Sequence, residues 1–129
     1  MACLPAVINQ HPVCLEFAKP KSAQIQGLAG RKSIPDNYGL VFETSKLGKK
    51  ESVFFTMSKM QFPIDMIFIK DEKIVLIEYA AKPCNVTPDK CLVYGGFPAD
   101  YVIETNVGNA NKWGMSMFDK FSIKAPNVK

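Results

Sequence analysis

The residues of this chain with chemistry to offer are four cysteines, one histidine and a few charged groups set among apolar runs. Cys84 and Cys91 flank a short loop with Pro88 near its middle. Such a pair can close a disulfide, which on the loop-entropy model stabilises by roughly 2–3 kcal/mol. It can remain as two structural thiols. It can also hold zinc, but only if Cys3 and Cys14 fold back to complete the set, and the spacing matches no standard zinc ribbon. A reactive thiolate is the remaining chemistry, since Lys82 or Lys90 nearby would lower a cysteine pKa. Cys3 and Cys14 carry no partner signature, and Cys14 alternates with Val13 and Leu15, so a free thiol at a strand position is expected there. His11 is the single histidine. Its isolation argues against a histidine-rich metal site and against Ser-His or Cys-His catalysis. No metal, no cofactor and no catalytic residue is expected.

Asp65 is the carboxylate that demands an explanation. It lies in FPIDMIFIKDEKIVLIEYAAKPC (Phe62–Cys84), two apolar runs joined by Asp71-Glu72. Phe62, Ile64, Met66 and Phe68 alternate with Asp65, Ile67 and Ile69, which is strand periodicity, and the β-branched and aromatic content agrees. Both faces being largely apolar predicts a hairpin at the centre of a sheet, covered on both sides. A carboxylate on such a face must be paired, hydrogen-bonded or at a rim. It either fixes a sheet edge or turn, or forms the base of a polar pocket with Lys59, Lys82 or Arg31. Arg31 also suits a helix C-terminus, where positive charge is favourable. Tyr94, Phe97, Tyr101 and Trp113 can line a recognition surface or fill a core, and the core reading is preferred.

The elements that must hold these residues follow from periodicity. Residues 1–12 read as an irregular lead-in, opposed by Pro5 and Pro12. Strands are expected at Val13–Ala18, Leu40–Glu43, Val53–Met57, the two arms of the hairpin, Cys91–Tyr94, Tyr101–Glu104 and Met117–Ile123, the last with Met117, Phe121 and Ile123 inward. Ser22 caps a short helix carrying Ile25, Leu28 and Ala29 on one face, ended by Gly30. Gly95-Gly96-Phe97-Pro98 reads as a turn, Gly108–Gly114 as a loop or single helical turn, and residues 124–129 as a loose tail. About eight short strands without strand–helix alternation define an all-β, mainly antiparallel protein, a compact β-sandwich or barrel with one short N-terminal helix.

Composition bounds the rest. The chain has 129 residues, 47% hydrophobic and 22% charged, with a net charge of +4. That is one soluble globular domain, 1–129. The densest basic stretch, Lys46–Lys50, is a solvated loop by default, and no nucleic acid is expected. No apolar run approaches the roughly 20 residues of a membrane span, so no membrane insertion is expected. MACLPAVINQHPVC lacks a basic segment before a continuous apolar core, so no signal peptide is expected in this chain, and localisation is left open.

An ordered set of segments carries a family resemblance: GLAGRKSI (Gly27–Ile34), FFTM (Phe54–Met57), PIDMIFI (Pro63–Ile69), KPC (Lys82–Cys84), Cys91 with Tyr94, and YVIE (Tyr101–Glu104). The chain resembles the domain-of-unknown-function 192 (DUF192) family from about Val13 to Ile123. The resemblance implies a compact β-sandwich or barrel with a short helix near the N-terminus, and no reaction. Many of the similar proteins are exported, which makes a Cys84–Cys91 disulfide natural. The family's Phe-Trp-Met-Lys-Asn-Thr is replaced here by Phe55, Thr56, Met57, Ser58, Lys59 and Met60. A Gly-Asp pair near the C-terminus is replaced by Phe118-Asp119. The expected function is a non-enzymatic ligand-binding or accessory module, with a candidate pocket of Arg31, Phe55, Met57, Lys59, Asp65, Lys82 and Tyr94. Its ligand is an unknown small or polymeric molecule, and an oligomer is allowed. The competing readings are an assembly subunit of a larger particle and a thiol- or carboxylate-dependent enzyme.

Overall fold

The computed structural model describes residues 3–18, 27–44 and 52–123. Eight strands run through them: β1 (Leu4–Ile8), β2 (His11–Phe17), β3 (Tyr38–Glu43), β4 (Val53–Thr56), β5 (Ile64–Lys70), β6 (Lys73–Ala81), β7 (Val93–Phe97) and β8 (Tyr101–Asn106). One short helix, α1 (Asn109–Lys112), follows β8. Six strands form one sheet in the order β1-β2-β3-β8-β5-β6, and β4 and β7 form a separate ribbon. Every pairing is antiparallel except β2 with β3. Parallel neighbours need a crossover. Its described part places Leu28 and Ile34 in the core.

The hairpin β5–β6 turns on two residues, with Asp71 at φ 50° and Glu72 at φ 60°. Two left-handed central residues make a type I′ turn, whose twist matches that of the flanking strands. Asn9 and Gln10, at φ 47° and 69°, turn the β1–β2 hairpin in the same way. Neither turn uses glycine.

Alternation gives the sheet two buried faces. On one, Tyr38, Leu40, Phe42, Ile64, Met66, Phe68 and Val102 pack under the ribbon and the 27–34 crossover segment. On the other, Val13, Leu15, Val41, Ile67, Ile69, Ile77 and Ile103 pack under Ala110, Trp113 and Met115. Residues Ile64 to Ile69 of β5 are therefore all buried. Each fully buried Ile or Phe side chain contributes roughly 1.5–3 kcal/mol. The all-β, mainly antiparallel class stands. The described strands close no barrel, because β1 and β6 remain as edges.

Several elements differ from the sequence reading. The lead-in is not irregular: Leu4–Ile8 is an edge strand, where the amide missing from Pro5 removes no needed ladder bond. Of the two arms of the hairpin, β5 lies inside the sheet while β6 is an edge strand. The Met117–Ile123 strand reduces to a single bridge between Lys73 and Lys120, with Met117 41% exposed. Phe121 and Ile123 do pack on the second core. The N-terminal helix from Ser22 lies mostly outside the described residues, as do the Lys46–Lys50 cluster and the 124–129 tail. Gly27–Gly30, its expected end, forms a turn.

Gly95 and Gly96 sit within β7 rather than in a turn, at φ 99° and 96°. A Cβ on Gly95 would lie 2.4 Å from the Val53 carbonyl oxygen and 3.0 Å from the Phe68 ring. Glycine is needed here because ribbon and sheet meet backbone against ring. Its amide also donates to Glu78 Oε2 at 3.1 Å, which ties the ribbon to β6. Gly95→Ala should cost at least about 2 kcal/mol of stability in urea unfolding, since the new methyl meets both a forbidden φ and a backbone oxygen.

Candidate functional site

The seven residues proposed as a pocket do not converge. Asp65 lies in β5 on the sheet face opposite Ile64 and Met66, whereas Met57 is buried with those two residues. The sheet separates them. Asp65 is 1% exposed, and three backbone amides satisfy its carboxylate. Ala80 donates to Oδ1 at 2.9 Å, and Gly108 and Ala110 donate to Oδ2 at 3.0 and 3.1 Å. The β5–β6 register slips between Ile64 and Met66, and Ala80 adopts φ 52°. This bulge turns the Ala80 amide toward Asp65. Asp65 thus fixes a bulge and the start of α1, as the edge-or-turn reading holds.

The other residues gather loosely at one end. Phe55 packs between Phe42 and Phe68 in tilted and edge-on contacts, with ring centroids 5.4 and 6.0 Å away, and pairs with the half-buried Tyr94 across the ribbon. Lys59 is exposed at φ 62°, and its carbonyl accepts the Gly30 amide at 3.0 Å. The Met57 carbonyl accepts the Cys84 amide at 3.0 Å. Lys82 is exposed. Cys84 is joined to Cys91 and Cys3 to Cys14, so the free-thiol expectation for Cys3 and Cys14 is overturned. The signal lay in the fold: the β1–β2 hairpin brings Pro5 opposite Cys14, beside Cys3.

Arg31 joins a different cluster. Its Nη1 donates to the Tyr38 hydroxyl at 3.2 Å and lies 3.6 Å from Glu16 Oε1, while the Tyr38 hydroxyl donates to Glu16. Burial, reinforced by that bond to Glu16, pushes the Tyr38 phenol above its ordinary value. Glu16 also begins a row. The registers set Glu16, Leu40, Glu104, Met66 and Glu78 side by side across one face. Glu16 has Tyr38 and Glu78 has the Gly95 amide. Glu104 is 6% exposed, and its carboxyl has no hydrogen-bond or ion-pair partner among the described residues. A Cβ on Gly27 would lie 3.7 Å from its Oε1, so the 27–31 turn roofs it. Burial pushes the Glu104 carboxyl up to about 7.

A groove with room for a ligand lies elsewhere among the described residues, at the tip of the β5–β6 hairpin. This groove of about 590 Å³ is lined by Ile69, Asp71, Glu72, Asp100, Tyr101, Phe121, Ser122 and Ile123. Apolar and aromatic side chains share its lining with three carboxylates. Asp100 receives the Asp71 amide at 2.9 Å and the Lys70 ammonium at 3.1 Å. The Asp71 and Glu72 carboxylates make no hydrogen bond among the described residues. The sequence reading missed this groove, apart from naming Tyr101 as an aromatic of interest. Its residues come from β5, the turn, the start of β8 and the C-terminal segment. The Phe121 amide holds that segment to the Glu72 carbonyl at 2.8 Å. No local motif marks such a meeting.

Fold and groove together define a small mixed-sheet protein with a roofed polar row and an acid-rimmed recess. The chain matches the DUF192 family model, described as "Uncharacterized ACR", over residues 5–123, and it belongs to that family. Among solved structures it is similar to a "putative transcription regulator" of Sinorhizobium meliloti 1021, with 28% identity, a TM-score of 0.70, and 85% of this chain and 81% of that one covered. It is also similar to a protein of unknown function from Novosphingobium aromaticivorans DSM 12444. There identity is 26% and the TM-score 0.71, with 92% and 83% of the two chains covered. A comparison with curated proteins returns no match.

Glu104 sets a pH dependence of unusual sign. Folded, the carboxyl keeps its proton up to about 7, against an ordinary value of 4.5. The folded state therefore holds a proton that the unfolded state has released, and stability falls as pH rises through that window. Glu104→Gln should gain stability over the wild type between pH 4 and 8, levelling off at about 3 kcal/mol. Urea unfolding of both proteins across that range measures the difference; a constant difference would show that Glu104 has a partner.

Proposed function

We propose that this protein is a non-enzymatic binding module whose recognition site is the groove at the hairpin tip. Its ligand, small or polymeric, presents a cationic group beside an apolar or aromatic one. The observation that carries this reading is that aromatic and apolar side chains line the groove together with Asp71 and Glu72, whose carboxylates make no hydrogen bond among the described residues. The groove volume falls within the range of small-molecule sites. Exposed ion pairs contribute at most about 1 kcal/mol each. Affinity then comes mainly from Tyr101, Phe121 and Ile123, and the carboxylates select for charge. The Tyr101 ring adds a cation–π surface.

Two further points support a binding role. All four cysteines are in disulfides, which leaves the thiol-dependent enzyme reading without a nucleophile. Disulfides persist in oxidising compartments, which favours a protein working outside the reducing cytosol. No helix among the described residues is long and apolar enough to cross a membrane. A transcription-regulator role like that named for the Sinorhizobium protein gains nothing from this groove, because its rim would repel phosphates.

The test compares phenethylamine with its neutral isostere 2-phenylethanol by amide NMR. The amine should shift resonances at Glu72, Tyr101 and Phe121 and bind more tightly than the alcohol. Glu72→Gln should narrow that preference by roughly 2–5-fold. Equal affinity for the two probes, or shifts confined to Lys59, Lys82 and Tyr94, would sink the proposal.

A further inference from the structure

The chain carries, beside the groove, an element of the same chemistry that the groove would take. Phe118 is 72% exposed and holds φ 69°, the left-handed region where a bulky side chain is disfavoured and glycine is at ease. Neither feature helps an isolated chain: the ring meets water and the backbone is strained. The conformation is nevertheless firmly held. The Phe118 amide donates to the Ile74 carbonyl at 2.7 Å, and the Ile74 amide donates to the Asp119 carbonyl at 2.9 Å. The Asp119 carboxylate in turn accepts the Ser116 amide at 3.0 Å. Met117, 41% exposed, stands next to the ring. Lys73 and Lys120, bridged to each other and both exposed, supply positive charge beside it.

Projection and recess share one edge of the molecule. Phe118 bonds to Ile74, and Phe121, which lines the groove, bonds to Glu72 two residues back along the same chain. Glu72 closes the hairpin turn and Ile74 lies at the start of β6, so the two aromatic residues are anchored two residues apart at the hairpin tip. A knob and a hole lying side by side are what a two-fold interface requires, because each chain then gives and receives the same contact. The charges agree as well. A second copy would bring Lys73 and Lys120 against the Asp71, Glu72 and Asp100 rim.

We infer that the groove is filled by a second copy of this chain, Phe118 of each protomer entering the groove of the other about a two-fold axis. This rests on the groove being a recognition site, as proposed above, and it names the partner.

Sedimentation equilibrium of the unreduced full chain, from micromolar to millimolar, tests it. The wild type should be a dimer that weakens with salt. Phe118→Gly, which suits φ 69°, should weaken the dimer more than tenfold while melting no lower as a monomer. Phe118→Asn, also tolerant of that φ, should do the same. Phenethylamine should bind the Phe118→Gly chain more tightly than the wild type, which must first release its partner's ring. A wild type that stays monomeric, a Phe118→Gly dimer as tight as the wild type, or open-ended association would each overturn the inference. The amine titration of Phe118→Gly separates the two ideas: where one of those results has overturned the dimer, amine binding leaves the groove reading standing, and absence of amine binding ends both.

Discussion

The architecture depends on one buried carboxylate. Asp65 sits on an apolar strand face with no ion pair among the described residues, a placement that would be prohibitive without compensation. Three amides supply it, from the β6 bulge and from the first residues of α1. Each of those amides would otherwise be an orphan donor: Ala80 because the bulge takes it off the ladder, Gly108 and Ala110 because they open a helix. One side chain thus joins two neighbours that share no ladder. Around it, Asn109 donates to the Thr105 hydroxyl at 2.8 Å, and that hydroxyl donates to the Tyr38 carbonyl at 2.6 Å. Trp113, fully buried, donates to Asn37 at 3.2 Å. The cover over this face of the sheet is fastened by polar bonds at points fixed by Asp65.

On the opposite face the polar groups behave differently. Glu16 and Glu78 have partners on other elements, and Glu104, between them in the row, has none among the described residues. A satisfied carboxylate fastens a structure, while an unsatisfied one weakens it above its own pKa. Glu104 is tolerated because it can stay protonated. The contrast with Asp65 follows from what each meets: backbone amides in one case, the Phe42 ring and the Gly27 turn in the other. With both faces of the sheet covered, recognition is left to its end, where the hairpin turn, the start of β8 and the C-terminal segment leave a groove.

Much of this was legible in the residues. The alternation in Phe62–Ala81 predicted the hairpin, and the ordered segments identified the family. Asp65 was recognisable as a carboxylate in need of partners, although nothing in the sequence could say that the partners were backbone amides, one 15 residues further on and two more than forty. The two-faced apolar pattern of β6 resembled that of β5, yet β6 is an edge strand, because the ribbon covers it from one side in place of a neighbouring strand. Gly95-Gly96 read as a turn because close backbone approach and turn formation ask for the same residue. Pro5 argued against a strand, and does so only for strands paired on both sides. The Cys3–Cys14 bond needed the hairpin to be known first. The groove depends on three distant segments, and its only local trace is a tight turn that keeps Asp-Glu where glycine would be easier.

The claim that Asp65 binds bulge, strand and helix into one unit is open to direct measurement by native-state hydrogen exchange. If the account is right, the amides of Ala80, Gly108 and Ala110 exchange only through global unfolding, with the same free energy as those of Ile67 and Ile103 in the sheet interior. In Asp65→Asn, which keeps the shape and loses the charge, all three should fall together into a faster class. Fast exchange of Gly108 and Ala110 in the wild type, with Ala80 still protected, would show that α1 opens independently and that Asp65 does not hold the fold together.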